Sequence, residues 1–319
     1  MRSGAPLWPV AVGVAWRQPH YQEVMVRGAP GIDFLEVLTE DFLSPGGAAR
    51  QLLLDAARRF PVSLHGAGLG LGSAVGIDGG HLRQVRELVD AVRPGAVSEY
   101  ACFNRVHRPG APIHLHARLP IPFSERSLSL LADHVDTAQE ALGRQILIEP
   151  IAACLAWDED TLSEPAFFNA LARRTGCGVL VNLDSLVVTA INRGHRDEAI
   201  VRAGIAWLDE IDPAVVGQYH LAGHAQAQGV AFGGQGDPVG EDVWSLYRHA
   251  LGRIGARPTV IDRGRPAPPL ATLTEEVARA RREQQAFDRE VIAPPPPRQD
   301  RRGRDSFPIQ FQESDDDAA

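Results

Sequence analysis

Short runs of β-branched and apolar residues recur along this 319-residue chain, each followed by a longer segment whose apolar positions return at helical spacing. Eight such runs read as strands: Val10 to Trp16, Ile32 to Leu38, Val62 to His65, Ala96 to Phe103, Ile146 to Glu149, Gly178 to Asp184, Val215 to Leu221 and Thr259 to Asp262. Helices are expected between and after them, at Gln18 to Arg27, Ala48 to Arg59, Asp78 to Val92, Ser124 to Leu142, Glu164 to Arg174, Asp197 to Glu210, Val239 to Ile254 and Leu270 to Arg289. Several open on good start signals, such as Ser124 before Glu125, and Ser163 before Glu164 and Pro165. Eight βα units in this length predict an α/β fold of the TIM-type (β/α)8 barrel kind, since a doubly wound sheet usually uses fewer strands. The barrel is expected over residues 1–290, followed by a disordered tail over 291–319, rich in Pro and Arg and then acidic.

Such barrels carry their chemistry at the C-terminal ends of strands. Glu36, His65, Glu99 with Tyr100, Glu149, Asn182 with Asp184, His220 with His224, and Asp262 all fall at or near predicted strand ends. Any one of these is an ordinary solvated terminus. Together they mark a polar site, because small or apolar residues would serve as termini equally well. Neutral imidazole and carboxylate suit iron, manganese or zinc, so His65, Glu149, His220 and Asp262 are candidate ligands for one ion or two. The competing reading makes His65 and His220 hydrogen-bonded structural histidines.

Composition narrows the function further. All 32 basic residues are arginine, which excludes a Schiff-base lysine and a phosphate-binding P-loop lysine within this sequence. A net charge of −8 gives no electrostatic footprint for nucleic acid, and no run approaches the ~18 apolar residues of a membrane span. The N-terminus is short and interrupted by proline, unlike a signal peptide. Cys102, Cys154 and Cys177 are widely spaced in apolar surroundings, which predicts buried thiols and a cytoplasmic protein rather than a disulfide framework.

Three other patterns carry less. His114 and His116, with His107 nearby, could chelate a metal from an extended loop. The glycine-rich run Gly66 to Gly72 lacks the register of a nucleotide loop and predicts a close backbone approach over the barrel mouth. Phe307 to Phe311 is an apolar island in the tail, a chance cluster or a short docking motif.

The residues at Gly13 to His20, Asp33 to Val37, Leu64 to Gly66 with Leu69 to Ser73, Leu119 to Phe123, Gln145 to Glu149, Thr175 to Gly178 and His220 to His224 resemble those of the multinuclear non-haem iron-dependent oxidative enzymes (MNIO). That TIM-barrel resemblance covers roughly Val12 to Arg282. It implies irons held by His, Asp and Glu at strand ends, oxygen as co-substrate, and oxidation of residues in a ribosomal precursor peptide, as in RiPP biosynthesis, brought by a peptide-delivering partner protein. His65, Glu149 and His220 match the family's ligand positions, and Asp262 stands where the family has glutamate. Elsewhere the chain departs: Ser98-Glu-Tyr100 replaces Ser-Asp-His, Asn182-Leu-Asp-Ser185 replaces Asp-Val-Asn-Asn, Asn192-Arg-Gly194 replaces Asn-His-Gly, and Gly233-Gly-Gln235 replaces Asp-Thr-His. Two functions follow from the resemblance. One is an oxidase with a reduced site of one or two irons (Fe2+/Fe3+), in which Glu99, Asp184 or His224 adds to the four ligands. The other is a non-catalytic barrel that binds a peptide or an active homologue.

Overall fold

The computed structural model describes residues 11–292, apart from Cys154 and Gln235. From its N-terminus the chain forms β1 (Val12–Ala15), α1 (Tyr21–Arg27), β2 (Leu35–Leu38), α2 (Gly47–Ala57), β3 (Val62–Gly66), α3 (Gly79–Val92) and β4 (Ala96–Tyr100). Then follow β5 (Cys102–Val106), β6 (Ile113–Pro120), α4 (Glu125–Leu142), β7 (Leu147–Glu149), α5 (Glu164–Thr175), β8 (Gly178–Asn182) and α6 (Leu183–Asn192). The last elements are α7 (Glu198–Glu210), β9 (Val216–Leu221), β10 (His224–Ala227), β11 (Val230–Gly233), α8 (Glu241–Arg253), β12 (Thr259–Ile261) and α9 (Leu270–Ile292). Strands β1, β2, β3, β4, β7, β8, β9 and β12 close into a parallel barrel, with β12 completing the ring against β1. The expected (β/α)8 barrel is the fold. The expected tail over 291–319 lies, but for its first two residues, outside the described residues.

Side chains alternate across each strand, so each predicted strand divides into an inward and an outward set. Outward positions such as Val14, Val37, Leu64, Val179 and Ile261 join the large core between barrel and helices. Inward positions stack in layers. The lower layer is apolar, with Ala15, Phe34, Ala96, Leu147, Leu180 and Val260 forming a cluster of their own. Glycines make its packing possible: a Cβ on Gly178 or Gly217 would stand 2.5 or 2.6 Å from Leu147 Cδ2. Two residues further along the same strands come Glu36, Ser98, Glu149 and Asp262, joined by His65 and His220. The alternation that builds the plug thus also aims polar groups at the mouth.

Three segments differ from the sequence expectation. Ala96 to Phe103 is two strands rather than one, because the chain turns at Ala101 and continues into the antiparallel hairpin β5–β6. A second hairpin, β10–β11, follows β9. Strand β8 stops at Asn182, whose side chain accepts from the backbone N–H groups of Asp184 and Ser185 and so caps α6. Both hairpins leave the C-terminal ends of barrel strands and flank the mouth.

Candidate metal centre

The lining of a cavity of about 370 Å3 at the mouth includes His65, Tyr100, Glu149, Asn182, Asp184 and Asp262. At its floor His65 is 2 % and Glu149 1 % exposed. Each is fixed from behind: Ser98 Oγ hydrogen-bonds His65 Nδ1 at 2.7 Å, and Asn182 Nδ2 donates to Glu149 Oε1 at 3.0 Å. This leaves His65 Nε2 and Glu149 Oε2 facing each other at 3.3 Å, without the alignment of a hydrogen bond. Burial holds the His65 imidazole below its ordinary value, although the nearby Glu149 and Glu36 charges oppose the effect. With its proton affinity lowered in this way the ring is neutral near pH 7, the form that can ligate a metal.

Glu36, fully buried on β2, was among the polar strand ends of the sequence but not among its candidate ligands. Its Oε2 accepts from Gln218 Nε2 at 2.7 Å, and its Oε1 lies 2.9 Å from His220 Nε2. Burial works against both charges of this pair, yet attraction outweighs it, so His220 rises to about 9 and Glu36 falls to about 2. The contact is one of charge more than of directed hydrogen bonding, since Glu36 Oε1 has no aligned donor. The other ring nitrogen, His220 Nδ1, stands 3.9 Å from Glu149 Oε2, and the His65 and His220 ring centroids are 5.3 Å apart.

Asp262 is paired differently. Its Oδ2 meets Arg17 NH2 at 2.9 Å and its Oδ1 accepts from the Gly264 N–H at 3.0 Å. Burial opposes its ionisation, but Arg17 holds it below the usual carboxylate range. Asp184 and His224 form a separate pair at 2.8 Å between α6 and β10; burial raises the Asp184 carboxyl and the hydrogen bond raises His224. Glu99 is not brought to these groups. It has the opposite parity to Ser98 and Tyr100, accepts from the Leu69 and Tyr100 N–H groups, and is pushed up to about 8 by burial and the Glu40 charge. His114 and His116 sit on the exposed β6 strand, their ring centroids 5.0 Å apart. The glycine run crosses closely packed ground, where a Cβ on Gly72 would lie 2.5 Å from Ile121 Cγ2. Cys102 and Cys177 are buried free thiols; Cys154 is outside the described residues.

Among the described residues no group of three or more His, Cys, Asp or Glu side chains forms a ready-made metal cage. The donors meet in pairs instead, and two of the pairs carry an internal cation. Arg17 offsets Asp262 and the charged His220 offsets Glu36, while Glu149 has the Asn182 amide and two imidazoles beside it but no ion-pair partner of its own. Leaving a buried polar atom unpaired costs about 1–3 kcal/mol, and His65 Nε2 and Glu149 Oε2 are two such atoms at one floor. A divalent cation is compatible with that donor chemistry and relieves that cost.

Sequence reasoning passed over three supports, Ser98, Gln218 and Arg17, and one further cavity-lining residue, Arg118. For the supports a signal existed, since Ser98, Gln218 and Arg17 share the inward parity of the expected ligands. Arg118 has none, because the strand that carries it is largely exposed and shows no alternation of apolar and polar residues.

No helix among the described residues is long and apolar enough to cross a membrane. The fold is similar to solved barrels at low sequence identity, including a D-tagatose 3-epimerase-like protein (12 % identity, TM-score 0.54, 88 % of this chain and 99 % of that one). A xylose isomerase domain protein from Alicyclobacillus acidocaldarius is another (13 %, TM-score 0.52, 87 % and 100 %). In sequence the chain is 39 % identical over 272 residues to a UPF0276 protein of Chromobacterium violaceum, covering 85 % of this chain and 94 % of that one. It is 38 % identical over 274 residues to one from Caulobacter vibrioides, with 85 % and 93 % covered. The model of the RiPP precursor modification enzymes MbnB/TglH/ChrH matches residues 11–285, and this chain belongs to that family.

Proposed function

We propose that this chain is an oxygen-dependent oxidase of a ribosomally made precursor peptide, working with one iron or two at a site reduced relative to the MNIO pattern. The observation that carries the reading is the pair of buried, unpaired atoms His65 Nε2 and Glu149 Oε2 at the end of an open cavity. His65 and Glu149 would hold the metal, with His220 beside them; Asp262, engaged by Arg17, would join only by giving up its ion pair. Bound iron supplies one-electron chemistry with dioxygen as the oxidant. The chain's own groups do the rest. Ser98 fixes the ring orientation of His65, Asn182 fixes the Glu149 carboxylate, and the His220–Glu36 pair holds a proton next to the floor. Peptide delivery by a partner protein, in a reducing cytoplasm, completes the proposal.

The alternative is a non-catalytic barrel in which Arg17 and the protonated His220 take the place of metal ions. The Arg17–Asp262 ion pair is the observation that favours it. Coexpression with a candidate precursor peptide separates the two readings. The oxidase reading expects a mass change in the peptide, made of hydrogen loss or oxygen gain, that requires His65. An unchanged peptide from cells whose protein is loaded with iron would leave the non-catalytic barrel.

A further inference from the structure

Three arginines line the cavity, and two of them are engaged. Arg17 is paired with Asp262 at 2.9 Å and Arg265 with Asp41 at 3.1 Å. Arg118, on β6, forms neither an ion pair nor a hydrogen bond among the described residues. Its guanidinium is held instead over the Tyr100 ring, 4.3 Å from the centroid, and Tyr100 meets His65 edge-on at 4.7 Å. Stacking of this kind fixes the plane of the group while leaving its N–H donors unspent, and a planar fork of donors matches a carboxylate. The cation therefore stands at the rim, within the field of Glu149 and Asp262 but hydrogen-bonded to neither, one aromatic ring away from His65.

The floor has the opposite character: with Asp262 offset by Arg17 and Glu36 by the charged His220, the Glu149 carboxylate is left over and repels any anion that goes deeper. We propose that Arg118 is the anion-recognition residue of this site, binding a carboxylate of the substrate at the rim so that the neighbouring atoms point toward His65 and Glu149. The inference rests on the peptide-modification reading and narrows its substrate class: the residue that enters carries a carboxylate, either the C-terminal one or an Asp or Glu side chain. A cavity of about 370 Å3 is at the small end of ligand sites, so it admits a peptide end or a single side chain.

The test is calorimetric titration of untagged, metal-free protein with three blocked probes. N-acetylglycine offers a terminal carboxylate, N-acetyl-aspartyl methylamide a side-chain carboxylate, and N-acetylglycinamide none. At least one acid is expected to bind tenfold or more tightly than the amide, and the acid that does so identifies the source of the carboxylate. Arg118→Gln should abolish the preference; because Arg118 makes no other polar contact, the variant is expected to fold, which its melting curve checks. Arg118→Lys should keep the preference with weaker binding, as a point charge replaces a fork. Equal binding of acid and amide, no binding of any probe, or an Arg118→Gln protein that behaves like the parent would overturn the proposal. Neither metal nor turnover enters this titration. If iron does not load but the acid preference holds, the oxidase reading fails alone; if iron loads and the preference is missing, Arg118 fails alone.

Discussion

Glu36→Gln, measured in metal-free protein, isolates the buried charge pair. Gln preserves the shape of the side chain and its contact with Gln218 while removing the charge opposite His220. Lifting an imidazole from 6.5 to about 9 corresponds to roughly 3 kcal/mol of interaction, and breaking a buried pair typically costs about 3–5 kcal/mol. The low Glu36 value reports the same contact from the other side and is not added. At about 2 °C per kcal/mol for a chain of this size, the loss is roughly 6 °C in melting temperature. The effect has a sign in pH. His220 is held above its unfolded value, so its contribution is complete below about pH 6.5 and is lost as pH rises through about 9. Glu36 is held below its own, so its share is complete above about pH 4.5 and is lost as pH falls toward 2. Thermal melts of parent and variant in chelator should therefore differ most between pH 4.5 and 6.5 and converge toward pH 9. A gap that stays constant from pH 6 to 9 would show that packing, not charge, was lost. The absence of any gap would refute the pair.

Asn182→Asp keeps the cap on α6 but sets a carboxylate where an amide donated to Glu149, so the metal-free protein should lose about 1–3 kcal/mol and recover it with ferrous iron, read as melting temperature with and without chelator. Equal stability of parent and variant without metal would mean that Asn182 does not support Glu149. Glu99 is raised to about 8, so its contribution is complete below about pH 4.5 and is lost as pH climbs through 8. Glu99→Gln should remove that loss and gain on the parent by about 4 kcal/mol between pH 5 and 8 in denaturant titrations, whereas a constant difference would show an ionised Glu99 throughout.

The barrel was legible because its strands are short apolar runs with a period of two, and the inward members of that period are the polar site. His65, Glu149, His220 and Asp262 could be named from strand ends alone. What could not be read was which groups neutralise which: Arg17 comes from the far end of the chain from Asp262, and the separation of 182 residues between Glu36 and Gln218 is crossed only when the barrel closes. The hairpins were missed because β6 is largely exposed and has no buried face to impose an alternation of apolar and polar residues. Helix α6 was hidden for the opposite reason: Leu183 to Ile191 is apolar almost all round, which resembles a buried strand, and only the Asn182 cap marks its start.

The central claim is that His65 and Glu149 hold a metal ion, and the direct measurement is the iron content of untagged protein loaded anaerobically with ferrous iron, by plasma mass spectrometry. The parent is expected to retain about one ion per chain, at most two, after desalting, because one uncompensated carboxylate and one neutral imidazole remain at the floor. Glu149→Gln and His65→Gln, folded by their melting curves, should each lose the ion, and His220→Ala should weaken its retention. An iron-free parent, or full occupancy in both Glu149→Gln and His65→Gln, would contradict the account.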